Sequence, residues 1–202
     1  PYEFYGIRVP ELRVLAKRLH EEHEIKDFYK VFNRLWESGY HEEMSLAIYT
    51  LQLYKDEFSL DTWKFLKIKI KDMKTWDQID IVGTNIVGYI LLKFPELERE
   101  MIKLSKSRNM WMRRLAIVST LPLIKKGNIR LTMSLAEEYI KDNEDYIQKA
   151  TGWMLREAAK QKTESVKRFV LKHIHMPPIC FSYATERDLK DLRKVRKLKK
   201  LS

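Results

Sequence analysis

Cysteine, glycine, proline and long apolar runs are all scarce in this chain of 202 residues. The single cysteine, Cys180, excludes an intramolecular disulfide and favours a reducing compartment. Because no stretch approaches about 18 uncharged apolar residues, we expect no membrane-spanning helix. No signal-peptide pattern is visible. The chain begins at Pro1, so the sequence leaves open whether an N-terminal segment is missing. These absences favour a cytoplasmic protein.

The sequence motifs of several common sites are missing too. There is no Walker A or dinucleotide-binding glycine pattern. The histidine pairs His20/His23 and His173/His175 lack the carboxylate or cysteine that would complete a set of metal ligands. Cys180 has no candidate base near it in the sequence, so we interpret it as structural. We therefore expect neither a metal nor a cofactor.

No segment shows the sustained period-two alternation of a strand, and the sequence favours helices almost throughout. Val9-Pro10 begins the first helix, Pro177-Pro178 breaks the pattern, and Thr185–Asp188 resembles a capping box for a last basic helix. In between, apolar periodicity and stop signals predict helices near 27–38, 41–58, 61–73, 75–94, 95–107, 109–126, 130–141, 144–161 and 163–175.

Alternate helices are expected to begin near 41, 76, 110 and 144, at intervals of about 34 residues. Such a period is typical of helical hairpins that stack as a solenoid. No low-complexity linker interrupts the pattern. We therefore predict an all-α fold of HEAT-like helical-hairpin repeats, stacked as one curved solenoid domain over residues 1–202 with a basic concave groove. Its basic C-terminal helix or tail covers about 185–202.

Four polar residues occupy equivalent positions in the second helices of these hairpins: Ser45, Asp80, Arg114 and Lys149. Their neighbours are apolar and are expected to pack between repeats. Equivalent positions of a solenoid line one surface, so we expect the four polar residues to face a groove. Trp76 and Trp153 lie four residues from Asp80 and Lys149, on the same helix faces.

Positive charge is concentrated in two segments of a chain whose formal net charge is +11. Residues 101–136 contain eight Lys/Arg and no Asp or Glu, which favours a polyanionic partner, nucleic acid first. Residues 187–202 contain eight Lys/Arg and two Asp. This tail is either a solvated, frayed helix end or an addition to the same footprint.

Asp80 lies within an apolar stretch, which leaves two interpretations of its carboxylate. One is an ion pair with Arg114 of the next repeat. The other is catalytic, because a fixed carboxylate can stabilise the oxocarbenium-like sugar of N-glycosidic cleavage and orient a water. An N-alkylated purine already carries positive charge and leaves without a general acid, so one aspartate would suffice.

Any of the five tryptophans can be a core residue. Trp76 and Trp153 share helix faces with charged residues, so they are also candidates for contacting a nucleoside or a cationic base. We interpret the other three as packing residues: Trp36, Trp63 and Trp111.

Glycine within a helix costs about 1 kcal/mol relative to alanine. Close packing against a neighbouring helix is the expected reason for Gly83, Gly88 and Gly152, and the backbone of another segment can approach near Trp153. Pro122 is expected to kink the helix that contains it.

Four segments carry a family resemblance: Tyr5–Arg13, Trp76–Asp80, Trp111–Ala116 and Tyr146–Glu157. Together they resemble the AlkD-like DNA alkylation repair glycosylases, which are built from HEAT-like repeats, and the resemblance extends to about Ala184. Two departures stand out. Relatives usually have one more helical unit before Tyr5, and many carry an arginine and a Leu-Arg-Tyr stretch where this chain has Pro178 and Phe181-Ser182-Tyr183.

The resemblance implies a monofunctional glycosylase that removes cationic N3- and N7-alkylpurines from double-stranded DNA without flipping the base into a pocket. It assigns Asp80 as the catalytic carboxylate, Trp76 and Trp153 as the indoles that hold the lesion deoxyribose, and Arg114 to the same cleft. The residues expected to contact the DNA backbone are Arg8, Arg113, Lys149 and Arg156.

The same resemblance implies a monomer that is associated with the nucleoid, without cofactor, metal or membrane attachment. Two other functions stay open from the sequence. One is a non-catalytic HEAT-like protein that binds duplex or branched DNA, and the other is a protein-interaction solenoid with a basic surface.

Overall fold

The structure, a computed structural model, describes residues 2–198, and its regular elements in that range are helices. One isolated bridge joins Glu3 to Tyr40. The α-helices are α1 Val9–Glu22, α2 Ile25–Glu37, α3 His41–Leu51, α4 Leu60–Lys69, α5 Trp76–Val82, α6 Gly88–Lys93, α7 Glu98–Ser105, α8 Met110–Val118, α9 Leu121–Lys125, α10 Arg130–Tyr139, α11 Asp145–Gln161, α12 Thr163–Lys172, α13 Pro178–Ala184 and α14 Leu192–Leu198. The predicted all-α class is confirmed. Within 2–198, no helix combines the length and hydropathy needed to cross a bilayer.

Local signals account for the helix ends. Ser59 Oγ accepts a hydrogen bond from the backbone N–H of Thr62 at 3.4 Å, and Asn109 Oδ1 accepts one from the N–H of Trp111 at 2.9 Å. Both side chains therefore cap the helices that follow them, α4 and α8. Gly39 lies just beyond the end of α2 and has a φ of 82°, a left-handed conformation that favours glycine and ends the helix.

The second helices of successive hairpins stack in chain order. α3, α5, α8 and α11 begin at His41, Trp76, Met110 and Asp145, close to the predicted starts, and each packs on the next. α13 packs on α11 and continues the row. The first helices α2, α7 and α10 pack against their partners α3, α8 and α11. Stacking in register places equivalent positions of the repeats on one surface.

Close packing explains two of the helical glycines. A Cβ at Gly88 would lie 2.5 Å from the carbonyl oxygen of Ser119 and 2.6 Å from Cδ of Pro122. The kink expected at Pro122 is a break, because α8 ends at Val118 and α9 begins three residues later. Gly83 is packed against α8, where a Cβ would overlap the side chain of Val118.

The C-terminal part differs from the prediction in two ways. The helical pattern is interrupted before Pro177-Pro178, as predicted, but Pro178 also begins a further helix, α13, since proline fits the first turn of a helix. Thr185 caps no following helix, because its Oγ1 donates to the carbonyl oxygen of Phe181 at 2.8 Å. α14 begins seven residues later, at Leu192.

The basic tail is packed against the helices rather than frayed. Leu189 and Leu192 are buried, and the guanidinium of Arg196 donates to the carbonyl oxygen of Met176 at 2.8 Å. The tail is therefore not a frayed end as far as Arg196, although much of it is exposed, including Lys194, Lys197 and Leu198. The last part of the predicted basic segment, 199–202, lies outside the described residues.

Candidate active site

A cleft of about 500 Å³ opens where four stacked helices, α5, α8, α11 and α13, meet. Its walls are Trp76, Asp80, Arg114, Tyr146, Lys149, Trp153, Arg156 and Tyr183. Three of the four equivalent polar positions lie in this cleft, as the repeat register predicts. The fourth, Ser45 on α3, is buried and does not line it.

Asp80 and Arg114 form a bidentate ion pair at the wall of the cleft. Nε of Arg114 donates to Oδ1 of Asp80 at 2.8 Å, and Nη2 donates to Oδ2 at 2.7 Å. Nη1 of the same guanidinium donates to the carbonyl oxygen of Tyr146 on α11. Arg114 is buried and the Asp80 side chain is 15 % exposed. The pair thus ties three successive repeats together and fixes the carboxylate within the cleft.

The environment of Asp80 acts on its ionisation in opposing directions. Burial raises the pKa of the Asp80 carboxyl above its ordinary value, and the nearby charge of Asp77 adds to the rise. The hydrogen bonds and positive charge of Arg114 lower the pKa without cancelling the effect of burial. Arg114 therefore acts to keep a mostly buried carboxylate in its anionic form.

The two cleft indoles line the same concavity as this pair. Trp76 begins α5 one turn before Asp80 and is 53 % exposed, which is high for a tryptophan in a packed helix. Trp153 is half-buried on α11, one turn after Lys149. The other tryptophans pack in or against the hydrophobic core, as expected: Trp36, Trp63 and Trp111.

Two further cations complete the cleft. The Lys149 ammonium lies 5.7 Å from the centroid of the Tyr146 ring, and Lys149 forms no ion pair with any residue from 2 to 198. Arg156 pairs with Glu157, at 3.4 Å, and with Glu186. The site thus offers aromatic faces, one anion and accessible positive charge within one concavity, a combination suited to a cationic group attached to a phosphate backbone.

Over residues 1–187 the sequence matches the family described as DNA alkylation repair enzyme. The chain belongs to this family. Two solved structures are similar to it in fold. A protein from Enterococcus faecalis described as a predicted DNA alkylation repair enzyme has a TM-score of 0.82 at 23% identity, over 92% of this chain and 88% of that chain. AlkD2 from Streptococcus mutans has a TM-score of 0.65 at 15% identity, over 95% of this chain and 89% of that chain.

No curated protein matches the chain. At these identities the two structures establish the fold alone. Family membership supports a role in DNA alkylation repair, and DNA is the partner that such a role implies.

Two of the residues expected to contact DNA lie outside the cleft of this DNA alkylation repair family member. Arg113 donates through Nε to Asp142 at 2.7 Å and through Nη1 to the carbonyl oxygen of Ser107 at 2.9 Å. Arg8 is exposed just before α1 and pairs with Glu11 at 2.8 Å. Their contacts with the DNA backbone stay predictions, and the guanidinium of Arg113 already holds a loop.

The acid-free segment 101–136 is also less basic in the folded protein than in the sequence. Three of its eight cations pair with acids from elsewhere in the chain: Arg113 with Asp142, Arg114 with Asp80 and Arg130 with Glu98. Only Arg114 of this segment lines the cleft. The positive side of the cleft comes instead from α11.

Two tyrosines of the cleft were not among the expected site residues. Tyr146 lies three residues before Lys149 and seven before Trp153, so helical periodicity along α11 was a sufficient signal. Tyr183 could not be predicted in this way, because it lies on α13, and Pro177-Pro178 had been interpreted as a break rather than as the start of a helix. It reaches the cleft because Gly152 lets α13 approach: a Cβ at Gly152 would lie 2.5 Å from Cβ of Tyr183.

Proposed function

We propose that the protein is a DNA glycosylase that hydrolyses the N-glycosidic bond of cationic N3- and N7-alkylated purines in duplex DNA. The observation that carries this proposal is the carboxylate of Asp80, fixed in a cleft that is also lined by two indoles and by cations that can bind phosphate. Membership of a DNA alkylation repair family supports the choice of damaged DNA as substrate.

The chemistry requires little of the protein beyond electrostatics. The bond between C1′ of the sugar and the purine nitrogen breaks, and its electron pair neutralises the positive charge of the alkylated base. The sugar becomes an oxocarbenium ion, which the Asp80 carboxylate stabilises. Water then adds to C1′ and releases one proton, which the carboxylate or solvent accepts. No general acid is needed, because the base leaves as a neutral molecule.

The aromatic walls act on the same positive charge. The faces of indole rings attract cations, with energies of about 0.5–2 kcal/mol depending on desolvation. Trp76 and Trp153 would contact the deoxyribose while it gains charge, and Lys149 and Arg156 would hold the flanking phosphates. This division keeps the cations on the phosphates and the anion at the sugar.

The decisive experiment incubates duplex DNA carrying one N7-methylguanine with the wild-type protein and with Asp80→Asn, and measures the released base. Asp77→Asn is the matched control, because Asp77 lies on the same helix, pairs with His41 at 3.1 Å and does not line the cleft. We expect Asp80→Asn to lower the single-turnover rate by about 10²-fold or more, and Asp77→Asn to change it little.

Folding and duplex binding are measured on the same variants. Asp80→Asn leaves Arg114 buried without its anionic partner, so its thermal unfolding must show that it is folded at the assay temperature. Its affinity for duplex DNA should be unchanged or slightly higher, since a negative charge has been removed. Full excision by folded Asp80→Asn would exclude the mechanism.

One observation favours a second candidate, a non-catalytic DNA-binding protein. Both oxygens of Asp80 are already occupied by Arg114, which fits a purely structural ion pair between repeats. The same assay separates the two functions. Binding of duplex DNA without release of the base by the wild type would favour this candidate.

A further inference from the structure

The cleft does not end at its own rim but continues along α13 to α14. A second depression shares Arg156 and Tyr183 with the cleft and is completed by Ser182, Glu186 and Arg193. A third depression shares Ser182 and Arg193 with the second. It is completed by Pro178, Phe181, Arg196 and Lys197. The shared walls make the three concavities one continuous track.

We propose that this track binds the sugar–phosphate backbone of the duplex that flanks the lesion, with Arg193, Arg196 and Lys197 as phosphate contacts and with Glu186 as a carboxylate that phosphate displaces. The proposal rests on the proposed function for its partner, DNA. It adds a binding surface outside the cleft, on the part of the chain after residue 178.

Three of the four cations of α14 line the track. Arg193, Arg196 and Lys197 are separated by three and four residues, so their side chains project from the same side of the helix. Lys194 lies between them in sequence but does not line any of the three concavities. Three cations of this helix therefore line the track, and Lys194 lies beside it, one turn from Lys197.

Both arginines of α14 are held in place by the protein. Nη2 of Arg193 donates to the carbonyl oxygen of Ser182 at 3.2 Å, and its Nε donates to Oγ1 of Thr185 at 3.1 Å. Arg196 lies over the Phe181 ring, with its guanidinium carbon 4.3 Å from the centroid. A guanidinium has five N–H donors, so each keeps donors for a phosphate while its position is fixed.

Glu186 marks a phosphate position within the track. Its carboxylate pairs with Arg156, and it lines the second depression together with Arg193. A carboxylate and a phosphate offer an arginine the same kind of charged, two-oxygen acceptor. The Glu186 side chain is 50 % exposed, so a DNA phosphate can reach Arg156 by displacing it. Asp191, the acid nearest the start of α14, pairs instead with Lys167 at 3.0 Å.

The test measures the affinity of the full-length protein for an unmodified duplex over a range of salt concentrations. We expect Lys197→Gln to weaken binding about five- to tenfold at 0.1 M salt and to reduce the salt slope by about 0.9, the effect of one lost phosphate contact. Lys194→Gln makes the same charge change at a side chain that lines none of the three concavities, so it should reduce the affinity and the slope clearly less. Glu186→Gln should strengthen binding, because it removes one of the two carboxylates that pair with Arg156.

Equal effects of Lys197→Gln and Lys194→Gln would overturn the proposal, since net charge rather than the track would then govern binding. Unchanged or weaker binding by Glu186→Gln would overturn the displacement of that carboxylate. Failure of the proposed function looks different. In that case the wild type either fails to bind duplex DNA or binds it without releasing N7-methylguanine, whatever the track variants do.

Discussion

At the scale of single residues, the ion pair between Asp80 and Arg114 sets the charge available at the cleft. Burial alone would favour the protonated carboxyl, which cannot stabilise a cation. The guanidinium opposes this effect through two hydrogen bonds of 2.7 and 2.8 Å. The two interpretations of Asp80 that the sequence allows are therefore compatible, because a structural ion pair also keeps the carboxylate ionised for chemistry.

Removing Arg114 should change the pH dependence of excision. Burial raises the pKa of Asp80, and Arg114 is the group that lowers it, so Arg114→Ala leaves a higher pKa. Excision needs the anion, so the acidic limb of the rate profile should move to higher pH and activity should recover as pH rises. Single-turnover rates from pH 5 to 8 measure this. Breaking a buried pair also costs roughly 3–5 kcal/mol, so thermal unfolding is followed in parallel.

Arg114→Lys is the control for that experiment. It retains a positive charge but loses the two-pronged geometry, so its acidic limb should lie between those of the wild type and Arg114→Ala. A uniform loss of rate at every pH, without movement of the limb, would show that Arg114 does not act through the ionisation of Asp80.

The Trp153 indole should matter for rate more than for folding. Trp153→Ala removes an aromatic face from the cleft, so the single-turnover excision rate should fall by about the energy of a cation–π contact, roughly two- to thirtyfold. Trp36→Phe is the matched control, because Trp36 is buried against Phe32 and does not line the cleft. It should lower the thermal midpoint and leave the rate unchanged. Unchanged excision by Trp153→Ala would make Trp153 a packing residue.

Residues of the cleft differ in how far the sequence could predict them. Asp80, Arg114 and Lys149 recur with the repeat, and helical periodicity adds the two indoles. Repeat register and periodicity together therefore predict most of the residues that line the cleft. Arg113 shows the limit of that argument. It is adjacent to Arg114 and has the same charge, but its contact with Asp142 depends on where a loop folds, which periodicity does not encode.

At the scale of elements, the approach of α13 to α11 completes the cleft. Gly152 permits it, since a Cβ there would lie 2.5 Å from the carbonyl oxygen of Cys180 as well as from Tyr183. Sequence reasoning predicted close packing at Gly152 but not the helix that packs there. Pro177-Pro178 is a helix breaker by composition, and only the tertiary contact with α11 shows that Pro178 is a first-turn proline.

Substitution of Gly152 by alanine should therefore be destabilising, against the usual trend. In an unobstructed helix, glycine to alanine stabilises by about 1 kcal/mol. At Gly152 the new methyl group meets backbone atoms that cannot rotate away, so Gly152→Ala should destabilise by about 1–3 kcal/mol. Denaturant unfolding measures this, and Gly88→Ala should have the same sign because it faces the Ser119 carbonyl oxygen. Stabilisation by Gly152→Ala would contradict the contact between α11 and α13.

At the scale of the whole molecule, folding redistributes the charge of +11 that the sequence carries. The acid-free segment loses three of its cations to ion pairs, whereas α11 and α14 bring cations from distant positions onto one track. Composition could predict a polyanionic partner but not the surface that binds it. Deleting 187–202 is a poor test of that surface, because it would also remove the buried Leu189 and Leu192.

The salt dependence of duplex binding should report the track rather than the net charge. Five cations line it besides the buried Arg114: Lys149, Arg156, Arg193, Arg196 and Lys197. If each neutralises one phosphate, the logarithm of the binding constant should fall with the logarithm of salt concentration with a slope of about −4 to −5. Binding titrations from about 0.05 to 0.3 M salt measure this slope for the wild type and for Lys125→Gln/Lys126→Gln.

Lys125 and Lys126 are both exposed and lie in the acid-free segment, yet neither lines the track. Removing both charges should leave the slope unchanged, because exposed charges beyond a Debye length of about 10 Å at 0.1 M salt are largely screened. A slope that falls by almost two units in the double variant would place the DNA on the face of the acid-free segment. The cleft cations would then stabilise only the site itself, and the DNA backbone would follow a different path across the repeats.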